Sequence, residues 1–397
     1  MSGWFTTFLN CRLCIDGKLV RDQFVVSDDT GLILPRTGYI GGDAVDLEDG
    51  IIAPGFLELQ TNGLLGFHFT HFKDPDTYAA EIDKAANYLI TQGVTGFWAT
   101  IPTVSSQEFK QILPSLKPRQ IENGAGLLGA HAEGPYLHPS KKGAHNESLF
   151  TQPDQSPAEV YGPDGTSSDT LKLVTVAPEL PNATSLVKKL VDQGTKVSLG
   201  HSAASFDQGL KAVKAGASCL THTLNAMAPL HHRDPGLAGL VTVPSTDEAS
   251  SPYFSMIPDG NHLHSSVVAM LYRANPDKAI VITDSIEMAG LDDGIYPGHA
   301  QIPHKQRKVG SRVTIDGTET LIGGCASLQE CVRNLMSWTE CNVAEAVKTV
   351  TENIAGFMGL EDRGKLEAGR RADFVVLNDE GEVLQTWLAG IKVWEKK

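Results

Sequence analysis

Short, nearly continuous apolar segments recur through the middle of the chain, and amphipathic stretches separate several of them. Buried parallel strands have this apolar character, whereas a recurrence of apolar residues every three or four positions is typical of helices. The predicted strands lie at 51–59, 94–101, 125–133, 171–177, 196–200, 218–222, 253–257 and 279–284. The predicted helices lie at 75–92, 105–116, 182–193, 205–215, 264–274, 327–339 and 342–358.

This alternation of strands and helices predicts an α/β fold, a (β/α)8 TIM-like barrel. A doubly wound open sheet is the alternative. That fold is typical of fewer strands and of a glycine-rich loop where the strand order reverses, and the sequence shows no such loop. The barrel is therefore the expected architecture.

Both ends of the chain have a different pattern, in which short strands are separated by turns. Apolar alternation at 6–15 and 19–26 flanks an Asp-Gly pair, which is typical of a hairpin. Strand-like segments recur at 372–377, 382–388 and 391–394. We therefore expect a small β-sandwich domain built from residues 1–53 and 361–397, and a barrel domain spanning 54–360.

Two long connections, at 134–170 and 223–252, show little periodicity. Loops of this length inside a compact domain are usually functional or mobile. The part at 153–169 is rich in Pro, Gly, Ser, Asp and Thr, so we expect it to be a surface insertion.

Side chains with metal-binding or acid–base chemistry stand at the ends of four predicted strands. Glu133 ends the third strand, His201 follows the fifth, and His222 and Asp284 end the sixth and eighth. These groups are expected to lie together, because the carboxyl ends of barrel strands converge on one rim. Two histidines and a carboxylate are the ligand set of a catalytic zinc site with an open position. A lone histidine at a strand end is more often a hydrogen-bonded core residue, but the matched strand ends favour a site.

The composition and the net charge are typical of a globular protein that binds neither nucleic acid nor a membrane. A hydrophobic fraction of 41% with 20% charged residues is typical of a globular protein with a large core. The formal net charge of −14 argues against a nucleic-acid or membrane partner. The six cysteines lack the spacing of a disulfide framework, and the N-terminus lacks a signal-like apolar segment, so we expect a cytoplasmic protein.

Several longer motifs resemble those of the amidohydrolase superfamily and, more narrowly, of the N-acetylglucosamine-6-phosphate deacetylase family. The resemblance runs nearly end to end, and its most specific parts are the Glu-Gly-Pro and His-x-x-Asn-Ala-Met segments. The motifs are Pro-Gly-Phe-Leu-Glu-Leu-Gln-Thr-Asn-Gly at 54–63, His-Ala-Glu-Gly-Pro at 131–135, Lys-Gly-Ala-His-Asn at 142–146, Gly-His-Ser at 200–202, Thr-His-Thr-Leu-Asn-Ala-Met at 221–227 and Thr-Asp at 283–284.

The resemblance implies metal-assisted hydrolysis of the acetamide of N-acetyl-D-glucosamine 6-phosphate, in amino-sugar catabolism. Glu133, His201 and His222 would hold the metal, and Asp284 would act as general base and then general acid. His145 would contact the acetamide carbonyl. The substrate-binding positions implied in the same way are Ala144, His145, Asn225, Ala226, Arg233, His262, Leu321, Ile322 and Gly323.

The resemblance also implies one divalent metal ion per subunit. Many amidohydrolases carry His-x-His after the first strand, which holds a second metal, whereas this chain has Gln60 and Asn62 there. Neutral amides are poor ligands for transition metals, so the second site is expected to be empty. Zinc is the expected ion, and iron, manganese or cobalt are alternatives. His68 and His71, in the loop that follows, are interpreted as surface or substrate-rim residues.

Two further expectations concern partners and alternatives. By resemblance, a homodimer is expected, in which His262 reaches into the neighbouring subunit's site. One alternative function is that of another amidohydrolase acting on a cyclic amide or a nucleobase, which would favour an intact His-x-His. The other is a metal-free barrel scaffold acting through protein contacts, which the joint presence of Glu133, His201, His222 and Asp284 disfavours.

Overall fold

The computed structural model of the chain describes residues 4–36, 42–163, 167–244, 246, 250–298 and 304–397. Within these ranges, eight parallel strands follow one another in a curved sheet and confirm the predicted barrel. In chain order the barrel strands are Phe56–Thr61, Val94–Pro102, Gly124–Glu133, Leu171–Val176, Lys196–Leu199, Cys219–Leu220, Tyr253–Met256 and Ala279–Val281. The short strand Arg119–Ile121 pairs antiparallel with the third barrel strand.

The barrel closes between the end of its first strand and the segment that follows its eighth. Thr61 and Ser285 form a parallel bridge. The backbone N–H of Asp284 donates to the carbonyl of Gln60 at 3.0 Å, and that of Asn62 donates to Ser285 at 2.7 Å. Asp284 therefore lies in the closing segment, directly beside the residues that replace His-x-His.

Helices cover the outside of the barrel, and their starts follow the capping signals of the sequence. Ser105, Ser156, Ser205 and Asn342 each form a capping box with the acidic or amide residue three positions later. The α-helices of the described residues are Pro75–Leu89, Ser106–Ile112, Pro157–Tyr161, Ala183–Asp192, Phe206–Lys214, Ser265–Ala274, Leu328–Thr339, Val343–Lys348 and Glu352–Met358. Short 3-10 helices occur at Ile90–Gln92, Leu113–Leu116, Pro139–Lys141, Glu147–Leu149 and Gly236–Thr242.

The two chain ends combine into one β-rich unit, as predicted, and within the described residues its strands are connected in one hydrogen-bonded sheet. The strand Ile51–Pro54 joins the two ends, because it pairs with Phe5–Ile15 on one side and with Phe374–Leu377 on the other. The remaining strands of this sheet are Lys18–Ser27, Asp43–Asp46, Val383–Leu388 and Ile391–Glu395.

The predicted strand at 51–59 is in fact two strands that belong to different sheets. Gly55 separates Ile51–Pro54 in the terminal sheet from Phe56–Thr61 in the barrel. A Cβ at Gly55 would lie 2.2 Å from Oγ1 of Thr95, so the close approach of the two sheets requires glycine there. The domain boundaries at 53/54 and 360/361 remain predictions.

A four-stranded antiparallel sheet follows the barrel and was not predicted. Its strands are Gly294–Tyr296, Gln306–Val309, Arg312–Ile315 and Leu321–Gly324. The Gly310-Ser311 turn between two alternating segments is a hairpin signal that could have revealed it. Gly63–Leu64 and Phe67–His68 form a further small hairpin.

The segment at 153–169 is not simply a surface insertion. Its helix Pro157–Tyr161 buries Val160 and Tyr161 completely. The hydroxyl of Tyr161 donates to the carbonyl of Gly134 at 2.8 Å, directly after the third barrel strand. Apolar residues at positions 160 and 161 therefore fix part of this loop against the barrel rim, while residues 164–166 lie outside the described part of the chain.

The terminal sheet should depend strongly on one aromatic cluster. The buried ring of Phe374 lies 5.2 Å from Phe8, 5.1 Å from Phe24 and 5.2 Å from Trp387, between ring centroids. We expect Phe374→Ala to lower the free energy of unfolding by about 3–5 kcal/mol, because it leaves a cavity in this cluster. Denaturant unfolding measures the change.

Trp4→Ala is the matched control for this prediction. Trp4 is an aromatic residue just before the first strand of the same sheet, but it is 75% exposed. Its replacement should change the free energy of unfolding by about 0.5 kcal/mol or less. Equal losses in the two variants would contradict the role of the aromatic cluster.

Candidate active site

Four side chains from separate strand ends meet at the carboxyl rim of the barrel. Glu133 is the last residue of the third strand, and His201, His222 and Asp284 follow the fifth, sixth and eighth strands within three residues. His201, His222 and Asp284 have positive φ values of 47°, 29° and 46°, respectively. Such backbone is costly for a side-chain-bearing residue and concentrates at functional sites.

The centre of the site is the buried carboxylate of Glu133. Its Oε1 lies 3.1 Å from Nε2 of His201 and 2.9 Å from Nε2 of His222, and the two nitrogens are 3.1 Å apart. Ligand atoms that share a divalent ion about 2.0–2.2 Å away lie roughly 3 Å from one another. The three residues therefore fit one metal ion, as the sequence analysis proposed.

The protonation of His201 also suits a metal ligand. Its Nδ1 donates to the backbone carbonyl of Lys141 at 2.8 Å, so the neutral ring presents an unprotonated Nε2 toward Glu133. Burial, helped by the neighbouring His145, lowers the pKa of His201 to about 4, and the ring is therefore neutral at physiological pH.

The buried carboxylates of Glu133 and Asp284 favour a positive charge between the metal-binding residues. Burial alone would raise the pKa of Glu133, but the adjacent rings of His145, His201 and His222 hold it well below its usual value. Burial would lower the pKa of His222, yet the hydrogen bond and charge of Glu133, with the charge of Asp284, raise it to about 9. In the absence of a metal, a proton on His222 thus balances the carboxylates. A divalent ion would supply that positive charge and leave His222 a neutral ligand.

His145 lies beside the ligands, but its ring has the other tautomer from that of His201. Its Nδ1 accepts a hydrogen bond from the backbone N–H of Thr103 at 3.2 Å and contacts Oγ1 of Thr103 at 3.0 Å. The proton of the neutral ring is therefore on Nε2, which lies 3.6 Å from Oε2 of Glu133. By distance alone, Glu133, His145 and His201 could form a ligand group. A protonated Nε2 cannot bind a metal, so we assign His145 as a hydrogen-bond donor.

Asp284 is held at the edge of the site. Its Oδ1 accepts hydrogen bonds from Nε2 of Gln60 at 3.0 Å and Nδ2 of Asn62 at 2.9 Å. Burial and the nearby charge of Glu133 raise the pKa of Asp284 above its ordinary value. A carboxylate with a raised pKa beside a metal site can accept and return a proton.

These groups face a cavity of about 340 Å³. The resemblance-derived residues that line it are Ala144, His145, Asn225, Ala226, His262, Asp284, Leu321, Ile322 and Gly323. Further lining residues that the sequence analysis did not assign to substrate binding are Asn62, Pro102, Thr103, Val104, Glu108, Gly143, Asn146, Leu149 and Ile286. The segments that follow the barrel strands and the last strand of the unpredicted sheet therefore line one cavity.

Comparison with known proteins identifies the family. The amidohydrolase family model matches residues 327–394. The chain is 36% identical to N-acetylglucosamine-6-phosphate deacetylase of Caenorhabditis elegans over 98% of this chain and 94% of that protein. It is 34% identical to the Danio rerio protein of the same name over 98% of this chain and 97% of that protein. The chain belongs to the N-acetylglucosamine-6-phosphate deacetylase family.

A solved structure of this family supports the fold over the whole chain. It is a variant of N-acetyl-D-glucosamine-6-phosphate deacetylase from Mycobacterium smegmatis in complex with N-acetyl-D-glucosamine-6-phosphate. The TM-score is 0.83 at 26% sequence identity, and the match covers 99% of this chain and 100% of that chain.

Among the residues that the structure describes, no helix has the length and apolarity to cross a bilayer.

Arg233, expected to hold the phosphate, does not line the cavity with the other family positions. Its side chain lies at a separate surface pocket with Ser205, Phe206, Asp207, Asp234 and Pro235. Its Nη1 donates to Nε2 of His232 at 3.0 Å. Within a single chain, the structure therefore does not bring Arg233 together with the metal-binding residues.

His262, expected to reach a neighbouring subunit's site, lines the cavity of its own chain. Its reach into a second subunit stays a prediction. Its Nδ1 is 2.8 Å from Oδ2 of Asp259, whose other oxygen accepts the backbone N–H of Asn261 and of His262 itself, each at 2.9 Å. Burial would raise the pKa of Asp259, but these hydrogen bonds lower it, so a fixed carboxylate holds the His262 ring.

His131 and His68 are two further buried histidines near the site. His131 is buried between threonine hydroxyls, with Nε2 2.8 Å from Thr175 and Nδ1 3.3 Å from Thr100. Burial lowers its pKa to about 4, and the ring supports the strands behind the ligands. His68 was expected at the surface or the substrate rim; it is buried and lines the cavity, and its Nδ1 accepts the backbone N–H of Thr70 at 3.2 Å.

The metal assignment predicts a contrast between two histidine variants. We expect about one divalent ion per chain in the wild-type protein and in His145→Gln, because His145 is not a ligand. His222→Gln should lose most of the bound ion, since it removes one of three ligands. Elemental analysis after dialysis measures the ion-to-protein ratio. Loss of metal from His145→Gln with retention in His222→Gln, or two ions per wild-type chain, would contradict the assignment.

Proposed function

We propose that this chain hydrolyses the acetamide of N-acetyl-D-glucosamine 6-phosphate to D-glucosamine 6-phosphate and acetate. The observation that carries the proposal is the meeting of a metal-binding triad, a proton-accepting carboxylate and a hydrogen-bond donor at one cavity. The family supplies the substrate: the C. elegans relative is a deacetylase of this sugar phosphate by name.

The geometry supports the residue roles that the family resemblance implies. Glu133, His201 and His222 would hold a divalent ion, which would supply Lewis-acid activation when bound. Asp284 takes a proton from the attacking water and passes it to the departing amine. His145, with its proton on Nε2, donates a hydrogen bond to the acetamide oxygen, where negative charge develops in the transition state.

Zinc is the proposed ion, since two imidazoles and one carboxylate suit it, although iron, manganese and cobalt accept the same ligands. We propose a cytoplasmic location, which the six free cysteines favour because thiols persist in reducing compartments. An amidohydrolase acting on a cyclic amide or a nucleobase is less suited, since Gln60 and Asn62 replace the His-x-His pair.

We retain the homodimer as part of the proposal and revise how the subunits contribute. His262 already serves its own cavity, whereas Arg233 lies outside it. A phosphate-binding role for Arg233 therefore requires either movement of its segment or insertion of this exposed arginine into a second copy's cavity. Arginine suits the role because its planar group donates paired hydrogen bonds to phosphate oxygens.

Release of acetate tests the function directly. N-acetyl-D-glucosamine 6-phosphate should be hydrolysed, and the same sugar without phosphate should react far more slowly. The panel also includes N-acetyl-D-galactosamine 6-phosphate and a cyclic amide. Turnover of the cyclic amide alone would overturn the proposal.

Asp284→Asn separates proton transfer from metal binding. We expect turnover to fall by roughly 10²–10⁴-fold, because the amide cannot accept the proton. The ion-to-protein ratio should stay near one, since Asp284 is not in the ligand triad. Turnover at the wild-type rate would remove Asp284 from the mechanism.

Arg233→Ala tests the phosphate site. It should raise KM for the phosphorylated sugar far more than for the unphosphorylated one, because it removes a cation that meets only the phosphate. Glu319→Ala is a control at an exposed charged residue that pairs with Arg312 and does not line the cavity. Equal effects of Arg233→Ala on both substrates would exclude phosphate binding by this residue.

A further inference from the structure

Gln60 and Asn62 converge on a single oxygen atom of Asp284. Gln60 lies in the last two residues of the first barrel strand and Asn62 directly follows the strand, and both are buried. Nε2 of Gln60 lies 3.0 Å and Nδ2 of Asn62 lies 2.9 Å from Oδ1 of Asp284. The amides of Gln60 and Asn62 therefore both donate to one oxygen of Asp284, in the segment where the barrel closes.

The orientation of both amides is determined by their other contacts. Gln60 Nε2 also lies 3.1 Å from Oε1 of Glu133, and Asn62 Nδ2 lies 3.3 Å from the carbonyl oxygen of Ser285. All of these partner atoms act as hydrogen-bond acceptors, so the nitrogen of each amide must face them. A reversed amide would place its oxygen against an ionised carboxylate.

This arrangement distinguishes the two oxygens of Asp284. Oδ1 receives two N–H groups, which occupy both of its lone pairs. Among the residues that the structure describes, none donates a hydrogen bond to Oδ2. We propose that Gln60 and Asn62 are positioning residues that fix Asp284 through Oδ1 and reserve Oδ2 for the proton of the attacking water. This inference rests on the proposed role of Asp284 as the proton acceptor.

The backbone does not provide this orientation by itself. The backbone hydrogen bonds between Gln60 and Asp284 and between Asn62 and Ser285 fix the chain path at the closure. They leave rotation of the Asp284 side chain about its own bonds unconstrained. The two side-chain amides supply that constraint, and their substitution leaves the backbone bonds in place.

Gln60→Met and Asn62→Leu test the inference. Each replacement keeps the approximate size of the side chain and removes its N–H donors. We expect each variant to lower kcat by roughly 10–100-fold, the loss typical of groups that orient a reactive side chain. KM for N-acetyl-D-glucosamine 6-phosphate should change by less than about threefold, because the change affects the transition state more than substrate binding. Assays at saturating zinc keep the metal site filled.

Thr61→Val is the matched control. Thr61 lies between the two amides and is fully buried, and its Oγ1 is 2.8 Å from Oγ of Ser285. The variant removes a side-chain hydrogen bond across the same closure without touching Asp284. We expect its kcat to stay within about threefold of wild type. An equal loss in Thr61→Val would assign the effect to general loosening of the closure and overturn the inference.

Asp284→Asn distinguishes failure of this inference from failure of the proposed function. If Asp284→Asn loses turnover while Gln60→Met and Asn62→Leu keep the wild-type kcat, the positioning role is wrong and the function stands. If Asp284→Asn is fully active, the proton-transfer role is wrong and the inference falls with it. Loss of kcat in both amide variants, with KM and Thr61→Val unchanged, supports the inference.

Discussion

The buried carboxylate of Glu133 is the constraint on which the site depends. An ionised group removed from water must be compensated by hydrogen bonds or opposite charge. Here Oε1 of Glu133 faces His201, His222 and the amide of Gln60, each from a different barrel strand or its end. The same atoms that would stabilise the buried anion also define a position for a divalent ion.

Hydrogen bonds to backbone groups give two neighbouring histidines, His145 and His201, different tautomers and therefore different roles. The ring centroids of His145 and His201 are only 4.5 Å apart. A carbonyl group, that of Lys141, fixes the proton of His201 on Nδ1, whereas an N–H group, that of Thr103, fixes the proton of His145 on Nε2. One imidazole is thereby prepared to bind a metal and the other to donate to the substrate. The segment around Lys141 also carries His145, so one loop supports both rings.

Much of this arrangement could be predicted from the sequence, because it follows from periodicity. Apolar segments indicate the barrel strands, and the convergence of strand ends predicts that one rim carries Glu133, His201, His222 and Asp284. The pairing of the two chain ends into one β-rich unit also followed from local pattern. The split at Gly55 did not, since an apolar segment looks the same in either sheet.

Other features depend on tertiary contacts that residue identity does not encode. The backbone groups that fix the protons of His145 and His201 carry no sequence signal. The burial of His68, the position of His262 in its own cavity and the separation of Arg233 from it all depend on loop paths. The sheet at 294–324 has the hairpin signal at Gly310-Ser311, but its strands are only three or four residues long, too short to show a clear alternation.

The protonation states of the histidines are the most direct test of this account. Nitrogen-15 NMR of histidine-labelled, zinc-loaded protein distinguishes protonated, unprotonated and metal-bound ring nitrogens. The account predicts that His201 carries its proton on Nδ1 and binds zinc through Nε2, while His145 carries its proton on Nε2 and binds no metal. A zinc-bound Nε2 on His145, or a proton on its Nδ1 alone, would contradict it.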